Sequence, residues 1–353
     1  MKSGRLENYK VCKSTARSCL LFAGFELLFD NFLRLSAKKT FSLICIATSI
    51  FSHAVFSQEL PVYNEYHLNK SLINPAIIGS EPCTWIKGTD RHQWLGVDGA
   101  PRIQTLSVES SIYNRKALRE TDKRVHGLGA YIFNDRNGAY RNFGLHLSYA
   151  YHVYLSKAKN IKMGMGAGVE IFQSLLDERN LHGEYDPIVN GSVNSVVQPD
   201  FDCGLFIYNE KFYTGLSAAR LIGSSGVASG DGSLRNYFLI AGFLTGEAKD
   251  NIRFLPSIVL KFTESLQKQI DLNVKTLFSE SWWLGLSIRH NFDRLPGNTM
   301  AIIPMTGLTK NNFSFGYSLE LTPGKILTHN YGTHEFTIAY RFCKDGFRCP
   351  VYR

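Results

Sequence analysis

Several patterns that would assign a common protein class are missing from the chain. After the N-terminal part, no apolar run reaches the ~18 residues that a membrane-spanning helix needs. No CxxC or paired Cys/His spacing predicts a metal site, and no GxSxG elbow predicts a serine hydrolase. These absences argue against a bundle of spanning helices. They also leave no cofactor, metal ion or catalytic residue to propose, so an enzyme is not expected.

Positive charge is concentrated in the N-terminal part of the chain. The formal net charge is +9, of which residues 1–57 contribute +5 through eight basic and three acidic residues, leaving +4 for the remainder. The densest basic cluster of that remainder, Asn114–Arg124, is interrupted by Glu120 and Asp122. We interpret it as a solvated loop, and nucleic acid is not expected as a partner.

Residues 1–57 are predicted to form a presequence with a signal peptide. Lys38 and Lys39 precede the apolar stretch Phe41–Phe56, which ends in residues that a signal peptidase accepts. The alternative is an N-terminal membrane anchor, for which the apolar stretch is short. A signal peptide rarely carries a prefix as long as residues 1–36, so the natural translation start is expected downstream of Met1.

Four cysteines remain after the presequence: Cys83, Cys203, Cys343 and Cys349. Cys343 and Cys349 are close enough in sequence to close a small loop in an oxidising compartment, and whether they are bridged stays open. Cys83 and Cys203 are interpreted as ordinary apolar packing residues.

Strict two-residue alternation is the strongest pattern that is present, and it runs twice between Asn142 and Phe172. In both runs one face is apolar: Phe143, Leu145, Leu147, Tyr149, Tyr151 and Val153, then Ile161, Met163, Met165, Ala167, Val169 and Ile171. The other face is polar or nearly free of side chains. Each run is about ten or more residues long, as a tilted strand needs to cross a bilayer. The pattern predicts a hairpin of a transmembrane β-barrel.

Similar segments continue along the mature chain and predict an all-β protein. About fourteen strands are expected, an even number as in antiparallel bacterial barrels, and they form one domain over residues 84–342. The connections Leu175–Pro199 and Leu221–Ser233 are rich in Gly, Ser and Asn and are predicted to be long loops. The last strand ends in aromatic residues, and a polar tail, residues 343–353, follows it.

Three glycines in the second run, Gly164, Gly166 and Gly168, look like a dinucleotide-binding loop when written out. They lie within the alternation of a strand and open no helix. We therefore interpret them as small residues that face the lumen, and no cofactor is expected.

The region before the first strands lacks periodicity, and its residues resemble the opening of the PorP/SprF family of the type IX secretion and gliding machinery of Bacteroidetes. The resemblance covers essentially Gln58–Phe342 and is carried by Tyr63-Asn64-Glu65-Tyr66, Ile73-Asn74-Pro75-Ala76, Gly79-Ser80, Arg91-His92-Gln93-Trp94, Gly96–Thr105, Gly127-Leu128-Gly129, Lys211–Ser217, Trp283-Leu284-Gly285 and Gly332–Glu335. The prefix and the tail do not match.

The resemblance implies a transmembrane antiparallel β-barrel in the cell outer membrane that scaffolds the secretion apparatus or supports export and surface attachment of a cargo adhesin. Implied partners are periplasmic and outer-membrane type IX secretion components, including a peptidoglycan-linked lipoprotein-type protein, and outer-membrane lipid. Ten family-motif residues are candidates for partner docking: Tyr66, Asn74, Pro75, Gly79, Gln93, Trp94, Asp98, Gly99, Pro101 and Gln104.

Residues 58–83 allow two interpretations. Their Asn-Pro and Gly-Ser turns over a short apolar stretch suit a periplasmic or plug-like docking segment, and they also suit a simple lead-in to the first strand. The barrel itself has an alternative function, because a barrel of this size also serves as a channel or transporter for small or apolar solutes.

Overall fold

The computed structural model describes residues 63–112, 125–177, 193–222, 235–247, 250–264, 268–278, 281–292 and 299–343. The predicted presequence, the basic cluster Asn114–Arg124 and the tail after Cys343 lie outside these residues. Within the described part, no helix has the length and apolar character needed to cross a bilayer.

The described chain is a closed antiparallel barrel of fourteen strands, which confirms the predicted fold and strand number. The strands are β1 Cys83–His92, β2 Arg102–Ile112, β3 Val125–Asn137, β4 Tyr140–Ser156, β5 Ile161–Asp177, β6 Val193–Tyr208, β7 Phe212–Ala219, β8 Asn236–Phe243, β9 Ile252–Thr263, β10 Lys268–Phe278, β11 Trp282–Phe292, β12 Thr299–Lys310, β13 Phe313–Glu320 and β14 Thr333–Cys343. Each strand pairs with its neighbours in sequence, and β1 pairs with β14 from Cys83↔Cys343 to His92↔His334, which closes the ring.

Large apolar side chains cover the outer surface of the barrel. On β4, Phe143, Leu145 and Leu147 are 52%, 41% and 55% exposed, whereas the intervening His146 and Ser148 are buried. This is the reverse of a water-soluble protein and is the pattern of a barrel wall that faces lipid. The assignment of the two faces of the β4–β5 hairpin from the sequence is therefore confirmed.

The two ends of the barrel differ in the length of their connections. We call the end at which β1 begins and β14 ends the terminal end, and the opposite end the loop end. At the terminal end, four of the six connections have two to four residues: 157–160, 209–211, 279–281 and 311–312; the other two, 113–124 and 244–251, have twelve and eight. Four connections at the loop end have nine or more: 93–101, 178–192, 220–235 and 321–332.

One predicted loop is too long. The prediction placed Leu175–Pro199 outside the strands, but β5 continues to Asp177 and β6 begins at Val193, with Leu175 opposite Ser195. The sequence misleads here because Pro199 normally interrupts a paired strand. It is tolerated because the ladder between β6 and β7 begins at Cys203 and one further bond joins Leu221 to Phe201, so no backbone hydrogen bond of the described residues reaches this edge at Pro199.

The interpretation of the cysteines is corrected by the closure of the ring. Cys83 and Cys343 face each other across the β1–β14 seam and form a disulfide, with Cα atoms 4.4 Å apart and a sequence separation of 260. Cys83 is thus not a simple packing residue, and Cys343 does not pair with Cys349. Only the pairing of the first strand with the last brings these residues together. Cys203 has a free thiol and is exposed on the outward face of β6.

The main apolar core lies inside the barrel and includes residues that precede β1. Tyr66, Ile73, Ala76 and Ile77 pack with side chains from β6 to β12: Phe206, Tyr208, Tyr213, Phe238, Ile240, Leu255, Val259, Leu277, Trp283, Ile303 and Met305. Burial of this apolar surface against the wall is a driving force that holds the N-terminal residues inside the barrel.

Candidate functional site

Residues Tyr63–Ser80, called the lumenal segment below, fill the interior of the barrel. The segment makes two short 3-10 helices, Lys70–Leu72 and Pro75–Ile77. Asn74 caps the second, because its side-chain oxygen accepts a hydrogen bond from the N–H of Ala76 and Pro75 occupies the first helical position. Most of the segment is buried, and Ala76 has no exposed surface.

A groove lined by glycines in the wall receives this segment. At Gly166, a Cβ atom would overlap the backbone of Pro75 and Ala76, and at Gly127 it would overlap the carbonyl of Ile78. At Gly164 it would overlap the carbonyl oxygen of Ala76, and at Gly129, Gly204, Gly215 and Gly316 it would overlap side chains of the segment. The small lumen-facing residues predicted from the sequence thus allow close approach of a second backbone.

Asn74 fills a notch between β6 and β7. Its Nδ2 atom donates to the carbonyl oxygens of Leu205 at 3.1 Å and Leu216 at 3.2 Å. A side chain at Gly204 or Gly215 would collide with this amide. Asn74 therefore uses its oxygen to shape the lumenal segment and its nitrogen to attach the segment to the wall.

Two further polar contacts attach the lumenal segment to the wall, one on each side of Pro75. Nε2 of His152 on β4 donates to the carbonyl of Ile78 at 2.8 Å, and the Tyr208 hydroxyl lies 3.0 Å from Nδ1 of the same ring. Because the carbonyl only accepts, this histidine carries its proton on Nε2. On β7, the Ser217 hydroxyl donates to the carbonyl of Ile73.

An ion cluster holds the start of the segment, and Arg289 on β11 is its centre. Two of its guanidinium nitrogens bind Asp271 at 3.0 Å each, and Nη1 donates to Glu320 at 3.1 Å. The same guanidinium donates to the carbonyl of Tyr63 at 2.9 Å and to the side chain of Asn64 at 3.0 Å. A planar group with five N–H donors suits this position, which a lysine would not satisfy.

Glu335 on β14 completes the ion cluster from the opposite side. Its two carboxylate oxygens accept the backbone N–H groups of Asn64 at 2.8 Å and Glu65 at 3.0 Å. Arg91 on β1 lies between Glu335, at 3.4 Å, and Glu320, at 2.9 Å. Arg91, Arg289 and Glu335 are all buried, so each charge depends on these partners.

Glu65 differs from the charged residues of the ion cluster because it makes no ion pair among the described residues. Its side chain is fully buried against Gly316. Burial raises the pKa of the Glu65 carboxyl well above its usual value, and the neighbouring Glu335 adds to the rise, while the Thr337 hydroxyl and Lys275 oppose it. The lumenal segment therefore carries a carboxyl group that favours its neutral form.

The connection between β1 and β2, residues 93–101, is held to its neighbours by backbone hydrogen bonds. The N–H of Leu95 donates to the carbonyl of Gly332 in the β13–β14 connection, and the N–H of Gly138 in the β3–β4 turn donates to the carbonyl of Gly99, each at 2.9 Å. Within the connection, Trp94 adopts a left-handed conformation with φ of 47°. The loop is thus a fixed surface at the loop end of the barrel.

Nine of the ten candidate residues fall into two groups that do not form one site. Four lie in the lumenal segment: Tyr66, Asn74, Pro75 and Gly79. Five lie in the exposed β1–β2 connection: Gln93, Trp94, Asp98, Gly99 and Pro101. Gln104 lies apart from both, on the outward face of β2. Tyr66 is buried and accepts a hydrogen bond from Gln269 at 3.2 Å, so it contacts the wall.

The ion cluster was missed as a candidate site from the sequence. Its members are Arg91, Asp271, Arg289, Glu320 and Glu335, which come from five strands and lie up to 244 residues apart. The available signal is a charged residue at an inward position of an alternating strand, because such a position is costly unless another charge faces it. In the described residues, no group of three or more His, Cys, Asp or Glu side chains is arranged to hold a metal ion.

Solved structures similar to this chain are outer-membrane proteins of low sequence identity. The monoaromatic hydrocarbon channel CymD has a TM-score of 0.47 and 10% identity, with 81% of this chain and 94% of CymD covered. Omp33 of Acinetobacter baumannii has a TM-score of 0.40 and 7% identity, with 75% and 100% covered. CdiB of the same organism has a TM-score of 0.40 and 8% identity, with 74% of this chain and 60% of CdiB covered.

Comparison with curated protein sequences gives no match. A family model does match, and it covers residues 55–340 under the description type IX secretion system membrane protein PorP/SprF. The match includes the whole lumenal segment and all but the last residues of β14, in agreement with the resemblance found in the sequence motifs. The chain therefore belongs to the PorP/SprF family of type IX secretion system membrane proteins and lies in the outer membrane.

Proposed function

We propose that this protein is a plugged barrel that scaffolds the type IX secretion apparatus or supports the export and surface attachment of a cargo adhesin. It acts through its two ends, with no catalytic step of its own. Its partners in this proposal are periplasmic and outer-membrane secretion components, including a peptidoglycan-linked lipoprotein-type protein, and the adhesin itself.

The occupied lumen is the observation that carries this proposal. The lumenal segment is buried in a fitted groove, attached by Asn74 and anchored by the ion cluster. A cavity of about 20 Å³ between the segment and the wall, lined by Tyr66, Lys70 and Lys275 among others, has room for a single water molecule. Such an interior favours a structural part over an open pore.

The lengths of the connections support an orientation. Membrane barrels of bacteria have short periplasmic turns and longer extracellular loops, so the terminal end would face the periplasm. Periplasmic partners would then meet the turns around residues 157–160 and 209–211. The β1–β2 connection, with exposed Leu95 and Val97, would be available to an exported partner on the other side.

Deletion of the protein tests the function directly. We expect the deletion strain to lose one or more type IX cargo proteins from its surface or medium and to regain them with the full-length chain. The rescue experiment is repeated with two separate variants, Asp98→Lys in the exposed β1–β2 connection and Lys159→Glu at the opposite end, to compare the two ends of the barrel. Unchanged secreted and surface proteins in the deletion strain would contradict the proposal.

The alternative is a channel or transporter for small or apolar solutes, and it requires a path past the lumenal segment. Planar-bilayer conductance of the purified protein separates the two functions. We expect a closed barrel that co-purifies with secretion components. Robust solute flux through the unmodified protein, without such components, would favour the channel.

A further inference from the structure

Three arginines form a line across neighbouring strands on the outer surface of the barrel. Arg102 on β2 lies opposite Arg136 on β3, and Arg136 lies opposite Arg141 on β4. All three are exposed and occupy outward positions of their strands. Side chains at directly opposed positions of adjacent strands have Cβ atoms about 5 Å apart, so the three guanidinium groups share one small area. We call these residues the arginine row.

The row lies where the apolar wall ends, close to the loop end. Four residues from the row along each strand, the outward positions are occupied by Leu106, Ile132 and Leu145, which are 52%, 40% and 41% exposed. The intermediate outward positions hold Gln104, Asn134 and Phe143. The order along the wall is therefore apolar, then mixed, then cationic, which matches the passage from acyl chains to headgroups.

Acidic groups only partly balance the row. Asp90 on β1 binds Arg102 through two contacts, of 3.1 and 2.9 Å, and also contacts His92 at 3.1 Å. Arg136 and Arg141 have no side-chain hydrogen bond or ion pair among the described residues. Like charges placed directly opposite each other destabilise a sheet, so an anion beside these two residues would relieve their repulsion.

A continuous row of cations is found on this side of the barrel. Where the wall ends near the loop end on β8, β9 and β11, the outward residues are aromatic: Tyr237, Phe262 and Phe292, each at least 40% exposed. On β10, the single exposed cation Lys268 lies between Phe262 and Phe292. Aromatic girdles are the usual border of a barrel wall. A row of arginines in place of such a girdle suggests recognition of a particular headgroup.

We propose that the arginine row is a binding site for the phosphorylated headgroup of a membrane lipid. The guanidinium fork matches two phosphate oxygens at once and makes charge-assisted hydrogen bonds, which a lysine cannot reproduce with the same geometry. The acyl chains of the lipid lie against Leu106, Ile132 and Leu145 below the row. Binding of this lipid is separate from the secretion function proposed above and does not depend on it.

Binding of diphosphoryl lipid A to the detergent-purified full-length protein tests this site, with bound lipids counted by native mass spectrometry. We expect Arg136→Gln with Arg141→Gln to weaken binding about tenfold or more, because each arginine contributes a charge-assisted contact. The matched control is Lys157→Gln with Lys159→Gln, which removes two exposed charges from the terminal end and is expected to change binding less than about twofold.

Two competitors define the ligand. The same lipid without its phosphates should not bind the row, and inorganic phosphate at equal phosphate concentration should not displace the lipid. Displacement by inorganic phosphate would show a free-anion site and overturn the lipid assignment. Equal loss in the arginine and lysine variants would show a general effect of net charge and would also overturn it. Heat-dependent gel migration of each variant reports whether its barrel is folded.

Discussion

Substitution of Asn74 is the most direct test of how the lumenal segment is attached to the wall. Its side chain makes three hydrogen bonds in the buried interior: Nδ2 to the carbonyls of Leu205 and Leu216, and Oδ1 from the N–H of Ala76. Asn74→Ala removes all three and leaves a cavity in the notch beside Gly204. The barrel strands keep their own ladders, so the change acts on the docking of the segment.

The expected magnitude follows from the count of lost contacts. At about 1 kcal/mol for each hydrogen bond, Asn74→Ala raises the free energy of the docked segment relative to an opened one by about 3 kcal/mol. Since about 1.4 kcal/mol corresponds to a factor of ten, the opened population rises roughly a hundredfold.

Hydrogen–deuterium exchange of the peptide that covers residues 63–80 measures this population, because amide exchange follows local opening when reclosing is fast. Asn134→Ala is the control, since its amide makes a single 3.5 Å contact with Gln104 on the exposed outer surface. We expect the control to leave exchange of the peptide within about twofold of the unmodified protein. If Asn74→Ala raises exchange no more than the control does, Asn74 does not hold the segment.

Three other changes test separate features of the interior. Gly166→Val should expel the segment and expose residues 63–80 to protease, whereas Gly88→Val, where a Cβ has open space, should not; equal resistance of the two variants would refute the fitted groove. Because the pKa of Glu65 is raised in the folded protein, the unmodified protein should lose stability as pH rises above the usual carboxyl range. Glu65→Gln should therefore increase the free energy of unfolding by about 1–3 kcal/mol at pH 8, seen as a higher melting temperature, and should leave it unchanged at pH 5. An equal shift of the melting temperature at both pH values would argue against this ionisation. Cys343→Ser should abolish the faster migration of the heat-denatured, unreduced protein, and Cys349→Ser should preserve it; the opposite result would contradict the Cys83–Cys343 disulfide.

The wall of the barrel was predictable because its signal is local. Alternation in β4 and β5 depends only on the two-residue repeat of a strand, so it assigns the strands and their lipid-facing side without any knowledge of neighbours. The closure of the ring is not local. The pairing of Cys83 with Cys343 depends on the register of the first and last strands, which no short-range pattern contains.

The interior was predictable only in part for the same reason. The sequence indicates that Gly164 and Gly166 face inward, but their partner, Pro75-Ala76, lies about ninety residues earlier in the chain. Arg289 needs acceptors from β10, β13 and the lumenal segment, and no spacing rule connects them. The family resemblance identified Asn74 and Pro75 as motif residues, but it did not state that they fit a groove in the wall.

The contacts of the lumenal segment also bear on whether the barrel opens. Withdrawal of the segment would uncover Ile73, Ala76 and Ile77, remove two acceptors from the buried Arg289 and leave the carboxylate of Glu335 without two backbone donors. Each lost hydrogen bond costs about 0.5–1.5 kcal/mol net once water replaces the partner, and more where a charged group is involved, so spontaneous opening is rare. A state with an open lumen therefore requires a partner that supplies replacement contacts, which is a reason to look for function at the two ends of the barrel before its interior.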